Sequence, residues 1–195
     1  MIKIIGITGR ARAGKDTVAN ILMEEIPCTM RYALADPIKD AMYGMLGAND
    51  LASKMHLMQT KEDEIPWLGH SPRAILQELG GTLRENLSTD FWIRFLDRFI
   101  YEWKQTEEVL GNYEDMYPIY VVVPDVRYNN EAEYIKEKEG IIIHVVRPDT
   151  PDVRSHSSEQ GVSKKYIDHQ IDNDGTIDEL CDKVSQLVKE GELNE

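Results

Sequence analysis

A chain of 195 residues, 42% hydrophobic and 29% charged, is long enough to bury a core in one domain and ordinary in composition for a soluble globular protein. Its net charge of -13 excludes a general nucleic-acid binder, which needs a basic face, yet allows a few cations gathered at one cleft. Cys28 and Cys181 stand alone, without CxxC spacing. That excludes a disulfide scaffold and a structural zinc site. No apolar run approaches the roughly 20 residues of a membrane helix, and the N-terminus lacks a signal-peptide pattern, so the expected setting is the cytoplasm.

Residues 1–8 (MIKIIGIT) form a short β-branched run, expected as a buried strand. A glycine loop follows, and residues 17–26 carry Val18, Ile21, Leu22 and Ile26 at helical spacing. Residues 29–35 are expected as a second strand. Asp36-Pro37 reads as an N-cap followed by proline at the first helical position, opening a helix to about residue 46. Residues 47–71 are polar and irregular, and are expected as a long mobile segment of the kind that often carries function. Helices are expected over 72–86 and 90–110, a strand over 119–123, a helix over 129–139 and a buried strand over 141–146. After a polar stretch at 148–165, a short strand is expected at 167–171. Thr176-Ile177-Asp178-Glu179 is a capping box for a final helix to about residue 189. Alternating strands and helices predict an α/β fold around a mostly parallel sheet.

The chemistry starts at Gly9-Arg10-Ala11-Arg12-Ala13-Gly14-Lys15-Asp16-Thr17. A Gly-x4-Gly-Lys pattern between a buried strand and a helix is the context of a phosphate-binding loop, or P-loop. Gly9 and Gly14 let the backbone curl so that its N–H groups, including those around Ala13, converge on phosphate oxygens. The helix start adds the positive end of its dipole. Lys15 can reach β- and γ-phosphates as a point charge, and Arg10 and Arg12 add two cations. Asp16 stands where a Ser or Thr usually follows the lysine. It either ligates Mg²⁺ in place of the hydroxyl or only opens the helix, with Thr17 contacting phosphate.

Further motifs follow in order: Ala33-Leu34-Ala35-Asp36-Pro37-Ile38-Lys39, Pro72-Arg73-Ala74-Ile75-Leu76-Gln77-Glu78-Leu79-Gly80, Asp90-Phe91-Trp92, Pro124-Asp125-Val126-Arg127-Tyr128-Asn129-Asn130-Glu131, His156-Ser157-Ser158-Glu159, and Ile167-Asp168 to Ile171-Asp172-Asn173. With the Gly-Lys-Asp-Thr loop, this series resembles the deoxynucleoside monophosphate kinases of bacteriophages and some bacteria, over nearly the whole chain. The resemblance implies a single P-loop kinase domain over 1–195: a three-layer fold with a helical substrate-binding region at about 36–110 and a mobile lid at about 148–165. It also implies ATP and Mg²⁺ as cofactors and a deoxynucleoside 5′-monophosphate as the small-molecule acceptor. No nucleic-acid polymer or membrane is implied, a homodimer is allowed, and a phage-encoded chain would work in the host cytoplasm. P-loop kinases of other small molecules, such as dephospho-coenzyme A or phosphomevalonate, are the nearest alternative. A non-catalytic nucleotide-binding module is the other; the missing Asn-Lys-x-Asp motif speaks against a GTPase switch.

Candidate residues divide by task. Arg73, Gln77 and Arg84 fall within about 40° of one another on a helix, beside a stripe of Leu76, Leu79, Leu83 and Leu87. Two Arg and a Gln suit a monophosphate with a base edge; Gly80-Gly81 could break the helix and spoil the alignment. Asp36 is a cap or a substrate contact, Lys39 is a candidate for the monophosphate, and Trp92 either stacks on a base or belongs to the core. Asp125 lies just past a buried strand, where ligands bind in parallel sheets, and is a candidate either for an outer Mg²⁺ carboxylate or for a group that orients the substrate. Arg127 is expected to point at transferring phosphate, with Asn130 and Glu131 as weaker candidates. Arg147 and Arg154 bracket the expected lid and would neutralise charge on transfer. In kinases of this type the loop after the last strand touches adenine, which makes Asn173 a candidate ATP contact.

Overall fold

Isoleucine and valine, whose branched side chains pack well on a pleated surface, dominate the central strands of a five-stranded sheet. The strands are β1 (Ile2–Thr8), β2 (Thr29–Arg31), β3 (Ile119–Val123), β4 (Ile141–Val146) and β5 (His169–Asp172). The computed structural model describes residues 2–110, 118–148, 161–190 and 193. The sheet order is β2-β3-β1-β4-β5, and every pairing is parallel. All five residues of β3 are buried, as a strand covered on both faces requires.

Two compact units divide the chain: Met1–Ala33 with Leu96–Glu195, and Leu34–Phe95. The first holds the sheet in three layers. Helices α1 (Lys15–Glu25) and α7 (Ile177–Lys189) cover one face through Ile5, Ile7, Val18, Leu22, Ile143, Val145, Leu180 and Val184. Each such aliphatic side chain contributes about 1.5–3 kcal/mol when fully buried. On the other face lies α6 (Asn129–Glu137). A Cβ at Gly6 would stand 2.6 Å from Ile142 Cδ1 and 2.8 Å from Ile135 Cδ1; β1 uses glycine where the α6 layer presses closest. The capping box at α7 forms as the sequence predicts, with Thr176 accepting from the Glu179 N–H and Glu179 accepting from the Thr176 N–H.

The second unit is helical: α2 (Asp36–Met45), α3 (Leu51–Gln59), α4 (Pro72–Asn86) and the start of α5 (Phe91–Leu110). Its core gathers around buried Met42, Tyr43 and Ala48, with Leu57, Met58, Ile75 and Leu76 packed against them.

Several expectations are corrected. The second strand stops at Arg31, and a turn at residues 34–35 leads into α2 in place of further strand. Ala35, not Asp36, takes the N-cap position of α2. Asp36 is the first helical residue, where a carboxylate is favoured by the helix dipole. The segment 47–71 contains α3, whose start is fixed by Asp50 accepting from the Ser53 N–H at 2.9 Å. No residue of α3 is buried; Leu57 and Met58 lean on the unit's core while Leu51 and Met55 stay exposed. Gly80-Gly81 do not break α4. Gly80 lies under Ile38, whose Cδ1 would be 3.2 Å from an added Cβ, and its carbonyl accepts the Trp92 indole N–H at 3.1 Å. Leu87 ends the expected apolar stripe as an exposed residue beyond the helix. The last strand is shifted to His169–Asp172. Among the described residues no helix is long and apolar enough to cross a membrane. Arg154, the segment 156–159 and most of the expected lid lie outside the described residues.

Candidate active site

Because all five strands run in one direction, their C-terminal ends share one edge of the sheet, where ligands bind in folds of this type. The loop after β1 leaves that edge through backbone that only glycine adopts freely. Gly9 has φ 144°, and a side chain there would collide with the Val145 carbonyl of β4. Arg12 follows at φ 63° and Gly14 at φ 101°. Residues of alternating hand turn successive N–H groups into one concavity, a nest for anions. The Ala13 N–H donates back to the Arg10 carbonyl at 3.2 Å, and the Val18 N–H to the Gly14 carbonyl at 3.0 Å starts α1.

Lys15 lies over this loop. Its Nζ donates to the Gly9 carbonyl at 2.8 Å and to the Arg10 carbonyl at 2.7 Å, so the ammonium is held by weak acceptors that phosphate oxygens can replace. Arg10 and Arg12 are exposed, and Thr17 is half-buried in the first turn of α1. Asp16 is largely exposed and pairs with Arg31 Nη2 at 3.0 Å. Arg31, the last residue of β2, is a site residue that sequence reading missed. Its signal was a cation at the C-terminal end of a strand.

Beyond β3, Pro124 and Val126 are buried while Asp125 is half-buried and Arg127 exposed. The Val126 N–H donates to the Ile7 carbonyl at 3.1 Å, which ties this turn to the end of β1. The turn is also held from α6. Glu131, only 4% exposed, accepts from the Arg127 N–H at 2.7 Å and the Tyr128 N–H at 3.0 Å. This buried carboxylate ties the backbone at Arg127 and Tyr128 to the start of α6. The sequence marks Glu131 only as a helix-start residue. Asn130 is half-buried at the start of α6, and Arg147 is exposed just past β4. Asn173, just past β5, directs its side chain at the loop itself, donating from Nδ2 to the Ala13 carbonyl at 2.8 Å.

The second unit holds the other candidates. Asp36 accepts from Lys39 Nζ at 2.7 Å. Arg73 Nη1 pairs with Glu62 Oε1 at 2.8 Å, and Gln77 and Arg84 are half-buried on the same helix. Trp92 is 6% exposed, gives its N–H to Gly80, and sets its ring edge-on to Phe91 and within 5.8 Å of Phe95. That is the placement of a packing residue, the second of the two roles the sequence allows. Among the described residues no three His, Cys, Asp or Glu side chains gather as a metal cage. A Mg²⁺ that arrives with a nucleotide needs fewer: it keeps waters and phosphate oxygens and takes one or two carboxylates. Asp16 and Asp125 meet that number.

His144 is a second group missed from sequence. It lies beside Thr8 in the β4–β1 register, with Nδ1 buried and lacking a hydrogen-bond partner among the described residues. Burial, then the Lys15 charge, lowers its pKa below the ordinary value. The folded state therefore holds a neutral imidazole that the unfolded chain would protonate first. Stability from this group is intact above the unfolded pKa of about 6.5 and is lost as pH falls below it. His144→Asn should show a smaller drop in melting temperature than wild type between pH 8 and pH 5. Parallel curves would sink this assignment.

The sequence profile of the deoxynucleotide monophosphate kinase family matches residues 3–66 and 58–184 of this chain. A deoxynucleotide monophosphate kinase of Enterobacteria phage T4 is 25% identical over 240 aligned positions, covering 96% of this chain and 99% of the relative. A deoxynucleoside-5′-monophosphate kinase of Escherichia phage T5 is 24% identical over 238 positions, covering 89% and 90%. Among solved structures, a dephospho-CoA kinase from Campylobacter jejuni superposes with a TM-score of 0.42 at 16% identity, covering 98% of this chain and all of that one.

Proposed function

The chain belongs to the deoxynucleotide monophosphate kinase family and is a nucleotide kinase; from that premise we propose that it moves the γ-phosphoryl group of ATP directly to the 5′-phosphate of a deoxynucleoside monophosphate. The observation that carries this reading is the nest between β1 and α1 with Lys15 lying over it. Transfer between phosphates leaves little covalent work for a protein, so positioning and charge neutralisation are the whole task.

In this reading the N–H groups of Gly9 to Thr17 and the Lys15 ammonium hold the donor phosphates. Mg²⁺, held by Asp16 and Asp125 through oxygens or water, would neutralise charge on the β- and γ-oxygens. Arg31 competes with that cation for Asp16, so the ion pair seen at 3.0 Å must loosen as the metal nucleotide arrives. Arg73 offers its guanidinium fork to the acceptor phosphate, with Lys39 as a second cation and Gln77 available to a base edge. Asp36 keeps Lys39 oriented. Arg127, braced by Glu131, neutralises the transferred group, and Arg147 and Arg154 complete the charge clamp. Excluding water then favours transfer over hydrolysis of the donor.

The test is ADP formation from Mg·ATP with dGMP, dTMP, dCMP, dAMP and their ribose counterparts. Turnover with one or more deoxynucleotides is expected and would name the base. Silence across the panel, with ATP bound, would reject this acceptor class in favour of another small molecule.

A further inference from the structure

The donor site depends on the shape of the Gly9–Gly14 loop, and that shape is braced from across the sheet. Asn173 sends Nδ2 to the Ala13 carbonyl at 2.8 Å. Its own N–H donates to the Val146 carbonyl at 2.7 Å, which fixes the side chain at its root. A Cβ at Gly14 would stand 2.5 Å from Asn173 Nδ2. The absent side chain of Gly14 is therefore the opening through which the amide reaches the loop.

The turn that carries Asn173 is itself held on both sides. Lys183 of α7 donates to the Asp172 carbonyl at 2.6 Å and to Asp174 Oδ1 at 2.6 Å. One residue beyond, a side chain at Gly175 would overlap Glu179, whose carboxylate accepts from the Thr176 N–H. Residues 172 to 176 are thus tied to β4, α7 and the phosphate loop.

We infer that Asn173 is a positioning residue for phosphate binding, resting on the reading of this loop as the donor site. The reason is the geometry of one peptide unit. The Ala13 carbonyl and the Gly14 N–H belong to the same planar trans peptide, so their bonds point in opposite directions. An amide that pins the carbonyl also aims the N–H, and with it one of the donors that converge on phosphate. A carbonyl only accepts, so the Asn173 nitrogen must face it, and one of its two N–H donors is committed to the loop. The expectation from the resemblance was different: a contact to adenine.

Two ligands separate these roles, because inorganic tripolyphosphate has the phosphates of ATP and no base. Titration calorimetry on the whole protein, without added metal, should give a weaker Kd for both ligands in Asn173→Ala. A lost neutral hydrogen bond corresponds to about 2- to 12-fold. Asn173→Asp, the same shape with no donor, should lose more, because a carboxylate then faces both a carbonyl and phosphate. Lys183→Gln, which loosens the turn and leaves Asn173 in place, should shift both ligands in the same direction by less. In turnover, KM for the phosphoryl donor should rise while KM for the acceptor and the preference for ATP over GTP stay unchanged. Weaker ATP with unchanged tripolyphosphate would overturn the inference and restore the adenine contact. Unchanged binding of both would overturn it as well. Wild-type protein that binds neither ligand would overturn the donor-site reading, and this inference with it.

Discussion

Lys15→Ala is expected to lower kcat/KM for phosphoryl transfer by at least about 10²–10³-fold, the scale found when one preorganised donor to a developing charge is removed. The chain should remain folded. Lys15 donates to the Gly9 and Arg10 carbonyls and sits at the half-exposed mouth of the loop, where water can replace it. A hydrogen bond that involves a charged group contributes about 1.5–3 kcal/mol and less where water reaches it, which lowers the melting temperature by several degrees in a domain of this size. The turn at Gly9, Arg12 and Gly14 is also held by the Ala13 N–H on the Arg10 carbonyl and by Asn173 on the Ala13 carbonyl, so the nest is expected to survive removal of the ammonium. Loss of turnover with an intact melt therefore separates chemistry from folding. Lys15→Arg should not rescue fully, since a planar fork replaces a compact charge on a flexible stem. Turnover that survives Lys15→Ala would show that the donor phosphates are held elsewhere.

The parts of the fold and site that could be read from the sequence are those fixed by short-range physics. The strand at Ile119–Val123 and the helix at Pro72–Asn86 follow from a β-branched run and from a Ser71-Pro72 start, and the structure has them at those bounds. The Gly9 to Thr17 loop was legible because its glycines are needed for its dihedral angles, whatever surrounds it. Partnerships across the chain were not legible. Arg31 meets Asp16 because β2 is parallel to β3 and ends on the same edge as the loop. Asn173 meets Ala13 across 160 positions of sequence. His144 is unusual only because it lands beside Thr8. Trp92 shows the opposite failure. An aromatic among other aromatics reads equally as a stacking surface or a core residue, and its burial and its bond to Gly80 separate them. Helix α3 was missed because its signal, a cap at Asp50, lies on residues that also spell a loop.

Arg73→Ala should act on the other substrate. A guanidinium hydrogen-bonded to a phosphate contributes about 1.5–3 kcal/mol, so kcat/KM for the acceptor should fall about 10- to 150-fold, with KM for ATP unchanged. Arg73→Lys keeps the charge and loses the bidentate fork, and should fall between the two. The structure adds a converse that a merely structural arginine would not show. Arg73 is held by Glu62 at 2.8 Å, with both side chains partly exposed, so an acceptor phosphate must displace a carboxylate to reach it. Exposed pairs of this kind contribute about 0.2–1 kcal/mol, and Glu62→Gln should accordingly lower acceptor KM about 1.5- to 5-fold. The two substitutions thus move acceptor KM in opposite directions while removing the same ion pair. If the pair only braced the helical unit, both would instead lower the melting temperature together and leave acceptor KM where it was. Steady-state kinetics in acceptor concentration at saturating ATP, with melts of each variant, distinguishes a phosphate contact displaced from its carboxylate from a structural brace.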